Sequence, residues 1–100
     1  MSENHSLSID SIVSAIGGQL SADLEGEIVI LHLESGVYFG LSDVGARIWE
    51  LIQEPRSVGD VRDALLKEYD VDASRVERDV LALLSELASH KLVEIQPVTS

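Results

Sequence analysis

The chain has 100 residues, 45% of them hydrophobic, which suits one domain with a single small core. It contains no cysteine, so disulfides, thiolate metal sites and cysteine nucleophiles are excluded. Its 18 acidic and 7 basic residues give a net charge of −11, and such a surface repels nucleic-acid phosphates and anionic lipid. Whether this charge only keeps the domain soluble or also steers a basic partner stays open.

Targeting segments are not evident in the sequence. No apolar run approaches the roughly 20 residues that span a membrane. The chain also begins without the basic start and continuous apolar stretch of a signal peptide. The sequence therefore predicts a cytoplasmic protein with no membrane partner.

The N-terminal part begins with a polar segment, residues 1–6, which we predict to be a flexible tail. The apolar residues of 7–16 fit either a helical stripe or a strand. Gly17 and Gly18 end this segment, and weak alternation over 19–24 predicts a strand.

A β-hairpin follows. Residues 27–33 form a β-branched and aliphatic run, 34–36 supply a turn, and 37–41 return as a second strand. Gly36 can take the positive φ that a three-residue hairpin loop requires. The N-terminal half is thus predicted to be an antiparallel meander of three to four strands.

The first helix starts directly after the hairpin. Ser42 and Asp43 are predicted to offer a side-chain oxygen to its free amides, and Pro55 ends it at or before Glu54. Its predicted apolar face consists of Val44, Ile48, Trp49, Leu51 and Ile52, and we assign Trp49 to the core.

Two further helices are predicted. Ser57 and Asp60 resemble a capping box for the second, and Asp72 caps the third, at about 73–90. The apolar face of the third helix consists of Val76, Val80, Leu83, Leu84 and Leu87. Residues 92–96 add a last short strand or cover the core, so that one domain spans 7–96 and a C-terminal tail spans 97–100.

The residues give little support to an enzyme. His5, His32 and His90 lie in separate regions, and no histidine or carboxylate spacing is typical of a metal site. The serines lie outside any nucleophile-elbow pattern, and no glycine loop is suited to phosphate. We therefore predict a non-catalytic protein without a cofactor or metal.

One stretch, LESGVYFGLSDVGARIWELI at 33–52, resembles the signature of PqqD-like proteins, the recognition elements of peptide-modification pathways. It is most similar to the stand-alone RiPP recognition elements of lasso-peptide biosynthesis. The resemblance continues through 58–69 and 76–93 and covers about 19–95. Ser42 departs from the family, where asparagine is frequent, but both residues cap helices.

The residues themselves predict an α+β domain, and the resemblance implies a winged helix-turn-helix-like arrangement, a small antiparallel sheet of three to four strands followed by three helices. In a DNA-binding protein of this fold, the third helix would carry exposed basic residues. Here Arg75 and Arg78 are diluted by acidic neighbours, namely Asp72, Glu77, Asp79 and Glu86. DNA binding is therefore disfavoured.

Peptide binding has a physical basis in the strand at 37–41. A short strand at a sheet edge presents unpaired N–H and C=O groups, and an extended peptide can pair with them. Gly40 has no side chain to obstruct an approaching backbone.

The resemblance implies that the leader segment of a ribosomal precursor docks between the third strand and the third helix. Carried over by position, the binding strand is Val37, Tyr38, Phe39 and Gly40. The candidate helix residues are Arg75, Arg78, Asp79, Ala82, Leu83 and Glu86. Core roles for Phe39 and Leu83, and plain solvent exposure for Arg75 and Arg78, stay open as alternatives.

The predicted function is a leader-peptide-binding module that presents a precursor to a separate leader peptidase, with a cyclase as a second candidate partner. One alternative is an accessory protein of a radical enzyme in pyrroloquinoline quinone-type cofactor biosynthesis. The alternative from another class is a winged-helix transcriptional regulator.

Overall fold

A computed structural model describes residues 7–17 and 19–96. The predicted tails at 1–6 and 97–100, and Gly18, lie outside the described residues. The described strands are β1 (Ile12–Ala15), β2 (Leu20–Leu24), β3 (Glu27–His32), β4 (Val37–Ser42), β5 (Arg56–Ser57) and β6 (Val93–Gln96). The described helices are α1 (Val44–Leu51), α2 (Val58–Glu68) and α3 (Ala73–Ser89). The predicted α+β class is confirmed.

The strands form two antiparallel sheets where the sequence predicted one. The meander sheet has the order β2-β3-β4, and β1 lies in a second sheet of order β5-β1-β6. The amide of Ala15 donates to the carbonyl of Ile52, and that of Ile16 to Leu92. The backbone of β1 is thus satisfied by segments that follow α1 and α3, which removes the need to pair with β2.

Two turns fix the meander sheet. Glu25 and Gly26 lie between β2 and β3 with φ values of 55° and 88°. Gly36 has φ of 74° before β4, as predicted, and its amide donates to the His32 carbonyl at 2.7 Å. Because His32 pairs with Val37, the second loop has four residues, 33–36, where the sequence predicted three.

The predicted side-chain hydrogen bond that would cap α1 is not formed. Ser42 ends β4, and Asp43 occupies the N-cap position without a side-chain capping hydrogen bond. A capping residue needs extended backbone geometry, but Asp43 has φ of 53° and ψ of −120°. The other two caps are confirmed, since Ser57 accepts from the Asp60 amide at 3.0 Å and Asp72 from the Arg75 amide at 3.1 Å.

The core lies between the inner face of the meander sheet and the three helices. Trp49 belongs to it with 5% of its surface exposed, and Leu83 is half-buried at its margin. Burial of each large aliphatic side chain stabilises the fold by about 1.5–3 kcal/mol. The fully buried residues are Val13, Ile30, Ile48, Ile52, Val58, Val61, Leu65, Val80, Leu84, Leu87 and Leu92.

One flank of α3 faces α2, and this leaves the other flank toward β4. Arg62 of α2 donates to Glu77 of α3 at 3.0 Å. On the opposite flank, a Cβ atom built at Gly45 would lie 3.7 Å from Leu83 Cδ2 and 3.7 Å from Leu41 Cβ. The start of α1 therefore holds α3 beside the end of β4.

We expect Gly45→Ala to stabilise the protein by about 0.5–1 kcal/mol, because alanine restricts the unfolded chain and favours a helix. The added methyl group would meet Leu41 and Leu83 at an ordinary 3.7 Å. Thermal unfolding followed by circular dichroism measures the effect.

Gly59→Ala is the matched control, because Gly59 also occupies the second position of its helix. There the new Cβ would lie 3.3 Å from Ile9 Cγ1 and 3.4 Å from the Ile9 carbonyl oxygen. Its midpoint should rise less than that of Gly45→Ala. A lower midpoint for Gly45→Ala than for the parent would contradict this packing.

Candidate functional site

The strand β4 lies at an edge of the meander sheet. Within the described part of the chain it pairs with β3 alone, so one side of its backbone carries no partner strand. Unpaired edge groups either face water or accept another strand. The direction in which each amide points therefore decides what this edge can bind.

That direction follows from the turn between β2 and β3. Positive φ at both Glu25 and Gly26 is typical of a two-residue type I′ turn. In such a hairpin the flanking residues, Leu24 and Glu27, exchange both backbone hydrogen bonds. The amide of Glu27 therefore points to β2, and successive amides of β3 alternate from there.

The alternating amide directions of β3 determine those of β4, because the two strands are paired. Ile30 lies three residues after Glu27, so its amide points to β4, where it is paired with Phe39. The amide of Phe39 consequently points inward. The amides and carbonyls of Tyr38 and Gly40 point outward, to the free edge. This edge thus offers two outward donor and acceptor sets at the spacing that an added antiparallel or parallel strand requires.

Side chains of β4 alternate between two faces. Tyr38 shares the outer face with Leu31, is 69% exposed, and has the exposed Gly40 as its neighbour two residues on. Phe39 shares the inner face with the buried Ile30 and packs against the core at its margin. Only one of the two aromatic residues, Phe39, therefore contributes to the core.

The flank of α3 beside β4 is formed by residues one turn apart. The ring centroids of His90 and Phe39 lie 4.8 Å apart, a tilted aromatic contact between the helix end and the strand. Leu83 lies seven residues before His90, hence on the same side of the helix, and reaches Gly45. Leu83, Phe39 and His90 therefore form an apolar and aromatic floor next to the free edge.

The remaining predicted helix residues differ in how close they lie to this floor. Asp79 and Glu86 flank Leu83 one turn away on each side, with Ala82 beside them, and all three are exposed. Arg75 lies at the N-terminal end and reaches Asp79 at 4.0 Å. This ion pair is largely solvent-exposed, so it contributes little to stability.

Arg78 is set apart from the other predicted residues. It lies two residues from both Val76 and Val80, which are buried, so it projects from the opposite side of the helix. The structure therefore brings Leu83, Asp79 and Glu86 to the β4 side and leaves Arg78 toward solvent. A role for Arg78 in peptide binding stays a prediction.

His90 is the residue that sequence reasoning missed. In the sequence it had no role beyond that of one of three histidines in separate regions. The signal that could have found it is its seven-residue spacing from Leu83, which places both on one side of the helix.

We call the combined set of Val37, Tyr38, Phe39, Gly40, Asp79, Ala82, Leu83, Glu86 and His90 the β4–α3 surface.

The pKa shifts of the structure lie away from this surface. The Arg47 guanidinium contacts Glu68 at 2.8 Å and Glu50 at 3.2 Å, and the hydrogen bonds from Arg47 lower the pKa of the Glu68 carboxyl. The hydrogen bonds that Arg62 donates to Glu77 and Asp63 raise the pKa of Arg62. The Arg47–Glu68 and Arg62–Glu77 pairs join helices, so they support the fold and not the β4–α3 surface.

In residues 7–17 and 19–96 no group of three or more His, Asp or Glu side chains is placed to hold a metal ion. Of the helices described, none combines the length and the hydropathy needed to cross a bilayer.

Comparison with known proteins gives a family for this geometry. The sequence profile of the family described as coenzyme PQQ synthesis protein D (PqqD) matches residues 27–93, which include β3, β4 and all three helices. The chain belongs to the PqqD family. Among curated protein sequences no match was found.

Solved structures with the same PqqD fold include two bound to peptides. TbiB1 in complex with the TbiA(beta) leader peptide is 38% identical, with a TM-score of 0.74, covering 87% of this chain and 99% of that one. A lasso peptide synthetase B1 complexed with the leader peptide is 28% identical, with a TM-score of 0.72, covering 82% and 96%.

A third similar structure was solved by NMR in solution. The PqqD truncation of Methylobacterium extorquens PqqCD, described as a functional and stand-alone RiPP recognition element, is 25% identical with a TM-score of 0.68. It covers 83% of this chain and 88% of that one. The resemblance that the sequence suggested, to PqqD-like recognition elements, is confirmed.

Proposed function

We propose that this chain is a non-catalytic leader-peptide-binding protein, a stand-alone RiPP recognition element of lasso-peptide maturation. It captures the leader of a ribosomally made precursor by adding it as a strand beside β4, with side chains seated on the β4–α3 surface. The observation that carries the proposal is its similarity to TbiB1 bound to a leader peptide, over 99% of the length of that protein.

The free edge supplies the affinity in this proposal. Tyr38 and Gly40 present outward backbone groups, and main-chain pairing of this kind holds a peptide regardless of its side chains. Leu83, Phe39 and His90 lie next to that edge and form a floor that selects apolar leader side chains. Backbone pairing thus gives binding, and the floor gives sequence preference.

The bound precursor is then delivered to a separate maturation enzyme, a leader peptidase in our proposal. Capture raises the effective concentration of the cleavage site near the enzyme without any change in the chemistry of cleavage. Because the precursor is made by ribosomes, this function belongs in the cytoplasm.

The strand β2 forms the second edge of the meander sheet, so it is the alternative strand with which a peptide could pair. All five of its residues are exposed, and an open hollow beside it is lined by Trp49, Glu50 and Gln53 of α1 and the loop after it. The aromatic residue of that hollow, Trp49, is only 5% exposed, so it offers a peptide less aromatic surface than Phe39 and His90 do. We therefore place the leader on β4.

A second candidate function is an accessory role in pyrroloquinoline quinone-type cofactor biosynthesis, which the name of the matching family favours. The lasso peptide synthetase B1 is 28% identical, against 25% for the PqqD truncation, and with the leader-bound TbiB1 at 38% this argues for the lasso-peptide role. Titration with a labelled leader from the lasso precursor of the same locus, against the leader of a PQQ precursor, separates the two. Tight binding of the PQQ leader alone would reverse the assignment.

Duplex DNA should not bind appreciably at physiological salt, because the net charge of −11 repels phosphates. Leader affinity should also vary little with salt, since backbone pairing and apolar contacts release few counterions. Fluorescence anisotropy with labelled leader and labelled duplex at two salt concentrations measures both. Tight DNA binding without leader binding would point to the transcriptional regulator instead.

A further inference from the structure

The outer face of the meander sheet carries exposed apolar side chains. Cross-strand partners share a face, so Leu20, Leu31 and Tyr38 form one row across the three strands. Leu24 and Val29 lie on the same face, because Leu24 is four residues after Leu20 in β2 and Val29 is two residues before Leu31 in β3. We call these five residues the outer face.

Several apolar side chains on this face expose more than half of their surface to solvent. Leu20 is 58% exposed, Leu24 is 56% exposed and Tyr38 is 69% exposed, while Val29 and Leu31 between them are half-buried. The core lies on the opposite face, where Ile28 and Ile30 are buried. A contiguous exposed apolar patch of this kind usually marks an interaction site.

The charges around this face have one sign. All seven Lys and Arg residues of the chain lie at position 47 or later, so the meander sheet and its loops contain none. The same segment carries five acidic residues: Glu27 on the outer face beside Leu24, Glu25, Glu34 and Asp43 in the connections, and Asp23 on the opposite face. The outer face is therefore an apolar patch with an acidic surround, although the chain as a whole also carries basic groups.

This charge distribution indicates which kind of partner could bind the outer face. A second copy of the chain would bring one acidic surround against another, and like charges across an interface are unfavourable. Anionic lipid and nucleic acid are repelled for the same reason. A protein with an apolar patch surrounded by Lys and Arg fits both features of the face.

The outer face is also continuous with the proposed leader site. A strand paired with β4 would extend the meander sheet by one strand, and alternate leader side chains would then lie beside Tyr38 on the outer face. A protein that docks on this face would thus contact the carrier and its bound peptide together.

We propose that the outer face is the docking surface for the enzyme that processes the captured peptide, through an apolar patch with a basic surround on that enzyme. This inference rests on the proposed function. It assigns two surfaces to the chain that share only Tyr38, the β4–α3 surface for the leader and the outer face for the enzyme.

The test is the double variant Leu20→Glu, Leu24→Glu, assayed with the labelled leader and with the leader peptidase that cleaves the same precursor. Both residues lie in β2, away from β4, and are more than half exposed, so the fold should persist in circular dichroism. Leader affinity should stay at the parent value, while the rate of assisted cleavage should fall about tenfold or more.

The control is Val71→Glu, which introduces one glutamate at an apolar residue that is 46% exposed in the connector between α2 and α3. It should assist cleavage as well as the parent does. A second variant, Glu25→Lys with Glu34→Lys, tests the charge requirement and should slow assisted cleavage most at low salt.

Two results would overturn the inference. The first is parental cleavage with the Leu20→Glu, Leu24→Glu variant while the leader still binds. The second is a parent dimer in sedimentation that this variant dissociates, which would assign the face to a second copy. If the parent binds no leader at all, the proposed function itself fails, and the titration shows this before any cleavage is measured.

Discussion

Proline at Tyr38 or Gly40 should leave the protein folded and abolish leader binding. The amides of both residues point to the free edge, so proline removes no hydrogen bond from the sheet. It does remove a donor that the leader would use, and its ring obstructs the incoming backbone. We expect at least about a hundredfold loss of affinity, because two backbone contacts are affected at once.

Proline at Phe39 or Leu41 should have the opposite result. Their amides point to β3, so the substitution breaks the ladder and leaves a buried carbonyl without its donor. An unsatisfied group of this kind costs about 1–3 kcal/mol, to which the clash of the ring adds. Circular dichroism for folding, paired with a leader titration for each variant, measures the alternation.

Alanine variants control for the loss of side chains in this scan. Tyr38→Ala and Gly40→Ala both keep the backbone amide, and a Cβ at Gly40 would meet only Glu27 Oε2, at 3.9 Å. Both should bind far better than the corresponding proline variants. Full affinity in a folded Tyr38→Pro or Gly40→Pro protein would mean that the leader does not pair with this edge.

The second large effect is expected on the helix side of the site. Ala82→Glu places bulk and negative charge beside Asp79 and Glu86, on the exposed flank of α3. Leader affinity should fall about tenfold, which corresponds to about 1.4 kcal/mol. The thermal midpoint should hardly change, because Ala82 is exposed and glutamate favours a helix nearly as well as alanine.

Ser85→Glu is the matched control for Ala82→Glu. It adds the same group to the same helix at an exposed position that points away from the core and from β4. It should bind the leader like the parent. Equal affinities for the two variants would place the peptide on a different flank of α3. Leu83→Asp is less informative, since Leu83 packs against the core and its loss would also affect folding.

Much of the fold could be predicted from sequence because its signals are local. The hairpin of β3 and β4, the apolar stripe of α3 and the caps at Ser57 and Asp72 each depend on residues a few positions apart. The pairing of β1 was out of reach, since its partners β5 and β6 lie about 40 and 80 residues further along the chain. Only the three-dimensional structure could reveal the second sheet.

The site was predicted in outline, and its decisive details required the structure. The sequence indicated an edge strand at 37–41 but could not say which of its amides point outward. That assignment depends on the type I′ turn at Glu25 and Gly26, which lies on the far side of β3. His90 was likewise missed, because its contact with Phe39 joins two segments far apart in sequence.

Hydrogen exchange of backbone amides, measured residue by residue by NMR with and without saturating leader, tests the central claim most directly. In the free protein the amides of Phe39 and Leu41 should already be protected, and those of Tyr38 and Gly40 should exchange fast. Addition of leader should slow exchange at Tyr38 and Gly40, and leave β2 unchanged. Fast exchange at Tyr38 and Gly40 in the saturated complex, or new protection along β2 instead, would contradict strand addition at β4.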